Sequence, residues 1–168
     1  RTLVEQDNIF HRLNRAGKSC VFANAYARFG EQQLPLYLRS VTTVATLSAF
    51  HGTRTRDDLI LGQAVYHDLT RATLRHHGQT DIPEITEEEA ARHLLGIVDQ
   101  HAFTLFEYFL TDHVGHRGTG PEKRAILASL DSFLGALCAG IDRRRQLLLM
   151  ISDHGNIEGL DTWRHTCN

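Results

Sequence analysis

Apolar residues along this chain recur at two periods, three-to-four and nearly continuous, and the alternation between them predicts helices interleaved with short buried strands. Ile9, Phe10 and Leu13 sit at helical spacing within 8–16, and Gly17 supplies a stop. Residues 18–25 (KSCVFANA) read as a short strand. The stretch 26–39 has no clear period and reads as loop, followed by a helix over 40–50 closed by Gly52. Shorter helical turns are expected over 57–61 and 69–77, with a possible strand end at 64–66 between them.

The second half carries stronger signals. Thr86 and Glu89 have capping-box spacing, and Ala91, Leu94, Leu95 and Val98 form one face of the helix that follows. Residues 102–110 (AFTLFEYFL) are short, aromatic-rich and almost wholly apolar, which predicts a strand buried on both faces. Gly120 and Pro121 open a long helix with the apolar stripe Ile126, Leu130, Phe133, Leu134, Leu137 and Ile141. Residues 146–152 (QLLLMIS) then read as a second buried strand. Strand, helix and strand in that order make a right-handed βαβ unit. The expected class is therefore α/β, a mostly parallel sheet with helices on both faces.

With 168 residues and 42% hydrophobic content, the chain has enough apolar side chains to build a core. The chain reads as one domain over residues 1–168, and its ends at Arg1 and Asn168 read as cuts within a larger protein. A net charge of −2 provides no broad basic surface for nucleic acid. The longest apolar run, Leu147 to Ile151, is far too short to span a membrane. Three cysteines without a C-x-x-C pair fit a reducing compartment, so a cytoplasmic location is expected. Eleven histidines are the pointed count, because imidazole is the commonest metal ligand and the usual proton carrier near neutral pH.

Ligand sites of parallel sheets form beyond the carboxyl ends of the strands. Both strands of the expected βαβ unit are followed there by metal-type ligands. Asp112-His113-Val114-Gly115-His116 follows the first, and Asp153-His154-Gly155-Asn156 the second, with His165 twelve residues beyond Asp153. Each piece alone reads more simply as a solvated turn. Together, converging carboxylates and imidazoles need a cation or a hydrogen-bond network to hold them. The mixed oxygen and nitrogen donors suit Zn²⁺ or Mn²⁺ rather than Ca²⁺.

Three motifs, TDHVGH over 111–116, ISDHGN over 151–156 and HTCN over 165–168, resemble the C-terminal signature of the alkaline phosphatase superfamily. Within it the pattern is closest to the cofactor-independent phosphoglycerate mutase-like metalloenzymes. The likeness is detailed over the last third of the chain and looser before it, as in Phe22-Ala23-Asn24-Ala25-Tyr26. It implies an alkaline phosphatase-like core, incomplete here at both ends, and a two-metal site acting on a small phosphorylated substrate. By matching positions, Asp112, His116 and His165 would hold one Mn or Zn ion, and Asp153 with His154 the second. The family's Ser or Thr nucleophile matches nothing in this chain and is expected upstream, so the chain alone is expected to be inactive. The rival reading is a non-catalytic metal-binding or interaction module that lacks the nucleophile.

Other polar residues read more simply. His67 and Asp68 follow the possible strand end at 64–66; a hydrogen-bonded turn is the first reading and substrate contact the second. Glu107 within an apolar strand needs a partner, first as a structural ion pair. His113 lies between two proposed ligands and is left outside the ligand set. Arg143, Arg144 and Arg145 read as a solvated surface, and the hydroxyls of Ser40, Thr42, Thr43 and Ser48 as structural.

Overall fold

The computed structural model describes residues 2–27, 40–159 and 165–166. Most of the loop expected over 26–39 lies outside the described residues, as do positions 167 and 168. The described elements run α1 (Thr2–Gln6), α2 (Ile9–Arg15), β1 (Cys20–Phe22), α3 (Val41–Phe50), α4 (Arg56–Ile60), α5 (Ala72–His76), α6 (Glu87–Val98), β2 (Phe103–Leu105), α7 (Leu110–Arg117) and α8 (Gly120–Gly140). The protein is thus a mixed helix and parallel-strand fold of the α/β class.

β1 and β2 pair in parallel, with Cys20 opposite Phe103, Val21 opposite Thr104 and Phe22 opposite Leu105. Successive side chains of a strand alternate between faces, so this register sorts the core into two layers. On one face, Cys20, Phe22, Phe103 and Leu105 pack with Phe10 of α2 and Ala45 of α3. On the other, Val21 and Ala23 meet Ala90, Ala91, Leu94 and Ile97 of α6 and Phe133 and Leu137 of α8. Helices therefore cover both faces of the small sheet. The possible third strand at 64–66 is realised as a parallel bridge between Asn24 and Val65.

Side-chain caps fix several of the helix starts. Asn8 accepts from the backbone N–H groups of Phe10 and His11, and Ser40 accepts from that of Thr43. Thr86 with Glu89 and Thr119 with Glu122 form reciprocal capping boxes, and Pro121 sits in the first turn of α8. These boxes aim α6 and α8 so that their apolar stripes meet over the sheet.

The sequence pattern misleads at two places. The strand expected over 102–110 ends at Leu105, and from Leu110 the chain is helical. Asp112 and His116 therefore stand on α7 rather than in a loop. The apolar run at 146–152 forms no strand. It pairs with no strand among the described residues, and Leu147, Leu149, Met150 and Ile151 lie exposed. Apolar content marks such a segment, but a strand needs an adjacent edge to complete its backbone hydrogen bonds. The parallel crossover that does form joins β1 to β2 through α3–α6.

Candidate metal centre

α7 begins five residues after β2, so it starts near the carboxyl edge of the sheet. A spacing of four residues sets Asp112 and His116 one above the other on one helical face. Asp112 Oδ1 and His116 Nε2 are 3.2 Å apart. Asp112 lies in the first turn and His116 in the last, where the helix dipole favours an acid and a base respectively.

The other two histidines arrive on a local clasp. Gly155 and Thr166 form an antiparallel bridge, each N–H donating to the other's carbonyl at 2.9 Å. Gly155 leaves room for these contacts, because a Cβ at this position would press on the side chains of Thr166 and Glu158. Glu158 fastens the turn by accepting from Asn156 N–H at 2.8 Å and from the Thr166 hydroxyl. The Thr166 hydrogen bond holds its carboxyl below the usual range. The clasp stacks the rings of His154 and His165 at 3.6 Å, with planes 11° apart.

These segments meet at one oxygen. Asp112 Oδ1 lies 3.2 Å from His116 Nε2, 3.4 Å from His165 Nε2 and 3.8 Å from His154 Nε2. His116 Nε2 and His165 Nε2 are 2.9 Å apart. Asp112, His154 and His165 each offer a ligand atom within 4.8 Å of the others. Asp153 stands at the margin, its carboxylate 3.7 Å from His154 Nε2 and its side chain 89% exposed.

The donor set fits a divalent cation. Bonds of about 2.0–2.1 Å in tetrahedral geometry separate neighbouring ligand atoms by about 3.3 Å, close to the spacings around Asp112 Oδ1. His154 Nδ1 donates to Gly155 O at 3.2 Å, a tautomer that leaves the Nε2 lone pair for the centre.

His67 and Asp68 lie apart from this cluster. Asp68 is buried, and its carboxylate accepts from Arg71 N–H, Thr73 N–H and the Thr73 hydroxyl at 2.6–2.7 Å, building the turn into α5. The ring of His67 lies 4.2 Å from Tyr66 and 4.7 Å from Phe109, at the start of α7. Burial pushes its pKa down, and its Nδ1 has no hydrogen-bond partner. Glu107 accepts from the Thr42 hydroxyl at 2.8 Å, and its backbone exchanges two hydrogen bonds with the Asn24 side chain.

Two contributors carry no chemical signature in the sequence. Asn156 is buried beneath Asp112 and donates from Nδ2 to Asp112 Oδ1 at 2.9 Å. Lys123 of α8 is buried and donates from Nζ to Gly159 O at 2.5 Å, tying the long helix to the clasp loop. Asn156 was visible within the SDHGN motif, but only the fold reveals its contact.

The chain belongs to the Metalloenzyme superfamily, whose family model matches residues 75–168, more than half of its length. It is also similar to the proteins described as 2,3-bisphosphoglycerate-independent phosphoglycerate mutase in two strains of Chloroflexus aurantiacus, J-10-fl and Y-400-fl. In each case identity is 33% over 78 residues, covering 45% of this chain and 14% of the relative. The chain thus corresponds to a small part of those proteins. No solved structure matches it significantly. No described helix is long and apolar enough to cross a membrane.

Proposed function

We propose that this chain carries the metal-binding part of an enzyme that transfers or hydrolyses phosphoryl groups on a small phosphorylated substrate. In this reading residues 1–168 are a portion of an alkaline phosphatase-like domain. The observation that carries the proposal is the meeting of Asp112, His116, His154 and His165, from three separate segments, around one carboxylate oxygen. Family membership and the likeness to phosphoglycerate mutases supply the chemistry.

Asp112, His116 and His165 hold one Mn or Zn ion in this proposal, and Asp153 with His154 binds a second. Bound divalent ions stabilise the charge that develops on attacking and leaving oxygens during in-line phosphoryl displacement. The residues of the chain supply the frame. Asp112 contributes the negative charge that offsets part of the cationic charge, and the imidazoles bind through neutral nitrogens. The rigid α7 sets the Asp112–His116 separation, and the Gly155–Thr166 bridge sets that of His154 and His165. The attacking Ser or Thr hydroxyl is proposed to come from a segment upstream of Arg1. Of the two residues proposed for substrate contact, His67 retains a nitrogen without a partner, while Asp68 is engaged in its turn.

The test is turnover of phosphoglycerate and of a simple phosphomonoester by the complete gene product with Mn²⁺ or Zn²⁺. His116→Ala and Asp153→Asn should abolish turnover while leaving the fold intact. Undiminished turnover by either variant would refute its assignment. Metal binding by the complete product without any turnover would favour a non-catalytic metal-binding module.

A further inference from the structure

Asn156 is 4% exposed, and its two side-chain atoms fare very differently. Nδ2 donates to Asp112 Oδ1 at 2.9 Å and lies 3.4 Å from the same residue's backbone oxygen. Oδ1 is buried without any hydrogen-bond partner. A buried carbonyl oxygen left without a donor is unfavourable, so packing alone gives no reason for an amide here. Reversing the amide would turn its oxygen toward a carboxylate, which fixes the nitrogen as the atom facing Asp112.

Space for this contact comes from α7 itself. Gly115 lies on the helix between Asp112 and His116, and a Cβ there would stand 2.5 Å from Asn156 Cγ and Oδ1. Glycine is a poor choice for a helix interior on propensity grounds. Its absent side chain is what admits the amide. The Asn156 backbone is held in turn by Glu158, which also grips Thr166 beside His165. One short segment therefore links the helix bearing Asp112 and His116 to the clasp bearing His154 and His165.

We propose that Asn156, seated against Gly115, is the positioning residue of the centre: its amide holds the Asp112 carboxylate where the three histidines converge, and so sets the affinity for a divalent cation. This rests on the reading of the cluster as a metal centre. The hydrogen bond occupies one lone pair of Oδ1 and restrains the carboxylate, leaving another lone pair for a cation. A neutral donor suits this role, since a carboxylate at position 156 would repel Asp112 and a longer cation would not fit beside Gly115.

The experiment is calorimetric titration of Mn²⁺ and Zn²⁺ into the complete gene product and its variants, with circular dichroism monitoring the fold. Asn156→Ala should weaken binding by about 10–100-fold, the usual cost of losing a partner that orients a ligand. Gly115→Ala should weaken it similarly without altering any ligand, because the new methyl group displaces the amide. That substitution improves helix propensity, so a purely structural role for Gly115 predicts no loss of affinity. The double variant should bind no more weakly than the weaker single variant, because both changes break the same contact. A wild-type chain that binds neither ion would overturn the metal centre and this inference together. A wild type that binds, with folded Asn156→Ala and Gly115→Ala variants binding equally well, would overturn the positioning role alone. Additive losses in the double variant would overturn it too. Should Asn156→Ala unfold, the folded Gly115→Ala variant decides between the same outcomes.

Discussion

The Nε2 atoms of His116 and His165 lie 2.9 Å apart, although 49 residues separate the two histidines in sequence. Asp112 Oδ1 closes a triangle with them. Such proximity of electron-rich atoms requires a shared proton or a cation. Replacing His116 or His165 by Ala should therefore weaken Zn²⁺ or Mn²⁺ binding by more than the roughly tenfold-to-hundredfold cost of losing an outer hydrogen-bond partner. Competition against a chromogenic chelator measures this, and wild-type affinity in either variant would remove that residue from the ligand set.

Asp153 should behave differently, because its exposed carboxylate reaches the cluster only from the His154 side. Under the two-ion proposal, Asp153→Asn lowers the number of ions bound while the affinity of the remaining one stays near wild type. Equilibrium dialysis gives both quantities, and a loss of all binding would merge the two sites into one.

A pH-dependent component of stability is expected at His93. Its pKa is pushed below the ordinary 6.5 by burial and by neighbouring Arg71, whose Nη2 lies 3.4 Å from His93 Nδ1. The unfolded chain therefore takes up a proton that the folded chain refuses. Stability from this group is complete above pH 6.5 and falls as pH drops below it. Thermal melts between pH 8 and 5 should show His93→Gln with a shallower decline than wild type. An identical decline would assign the effect to other groups.

The capping box of α8 offers a test of the frame. Thr119 N–H donates to Glu122 at 2.7 Å, and the Thr119 side chain accepts from Glu122 N–H. Thr119→Ala should cost about 1 kcal/mol in urea denaturation. No measurable loss would mean that packing against α6, rather than the cap, fixes the start of α8.

Leu147, Leu149, Met150 and Ile151 form an exposed apolar run, a recognisable aggregation hazard. Leu149→Glu combined with Ile151→Lys should raise solubility and leave stability within about 0.5 kcal/mol of wild type. Unfolding of the double variant would show that the run is buried as a strand after all.

That run also marks the boundary of what the sequence conveys. Helices with local signals were legible: the apolar spacing of Ile9, Phe10 and Leu13 in α2, the Thr86 box of α6 and the Pro121 opening of α8 depend on residues within about one turn of each other. Strands were less legible, because pairing is settled by remote neighbours. The 102–110 and 146–152 runs look alike in composition, yet only part of the first finds a partner, in Cys20–Phe22. At the site, ligand-type residues were evident from their chemistry and motif spacing. The helical placement of Asp112 and His116 was encoded in their four-residue spacing but obscured by the apolar stretch before them. Asn156 was not legible as a contact, since a buried amide near glycine has no distinguishing pattern.

The most direct test of the central claim is the metal content of the chain after loading with Zn²⁺ or Mn²⁺ and exhaustive desalting, measured by plasma mass spectrometry for wild type and for Asp112→Ala with His154→Ala. Bound metal is expected in the wild type, and its loss in a double variant whose circular dichroism is unchanged. A wild type that retains no metal, or a double variant that retains as much as the wild type, would contradict that claim.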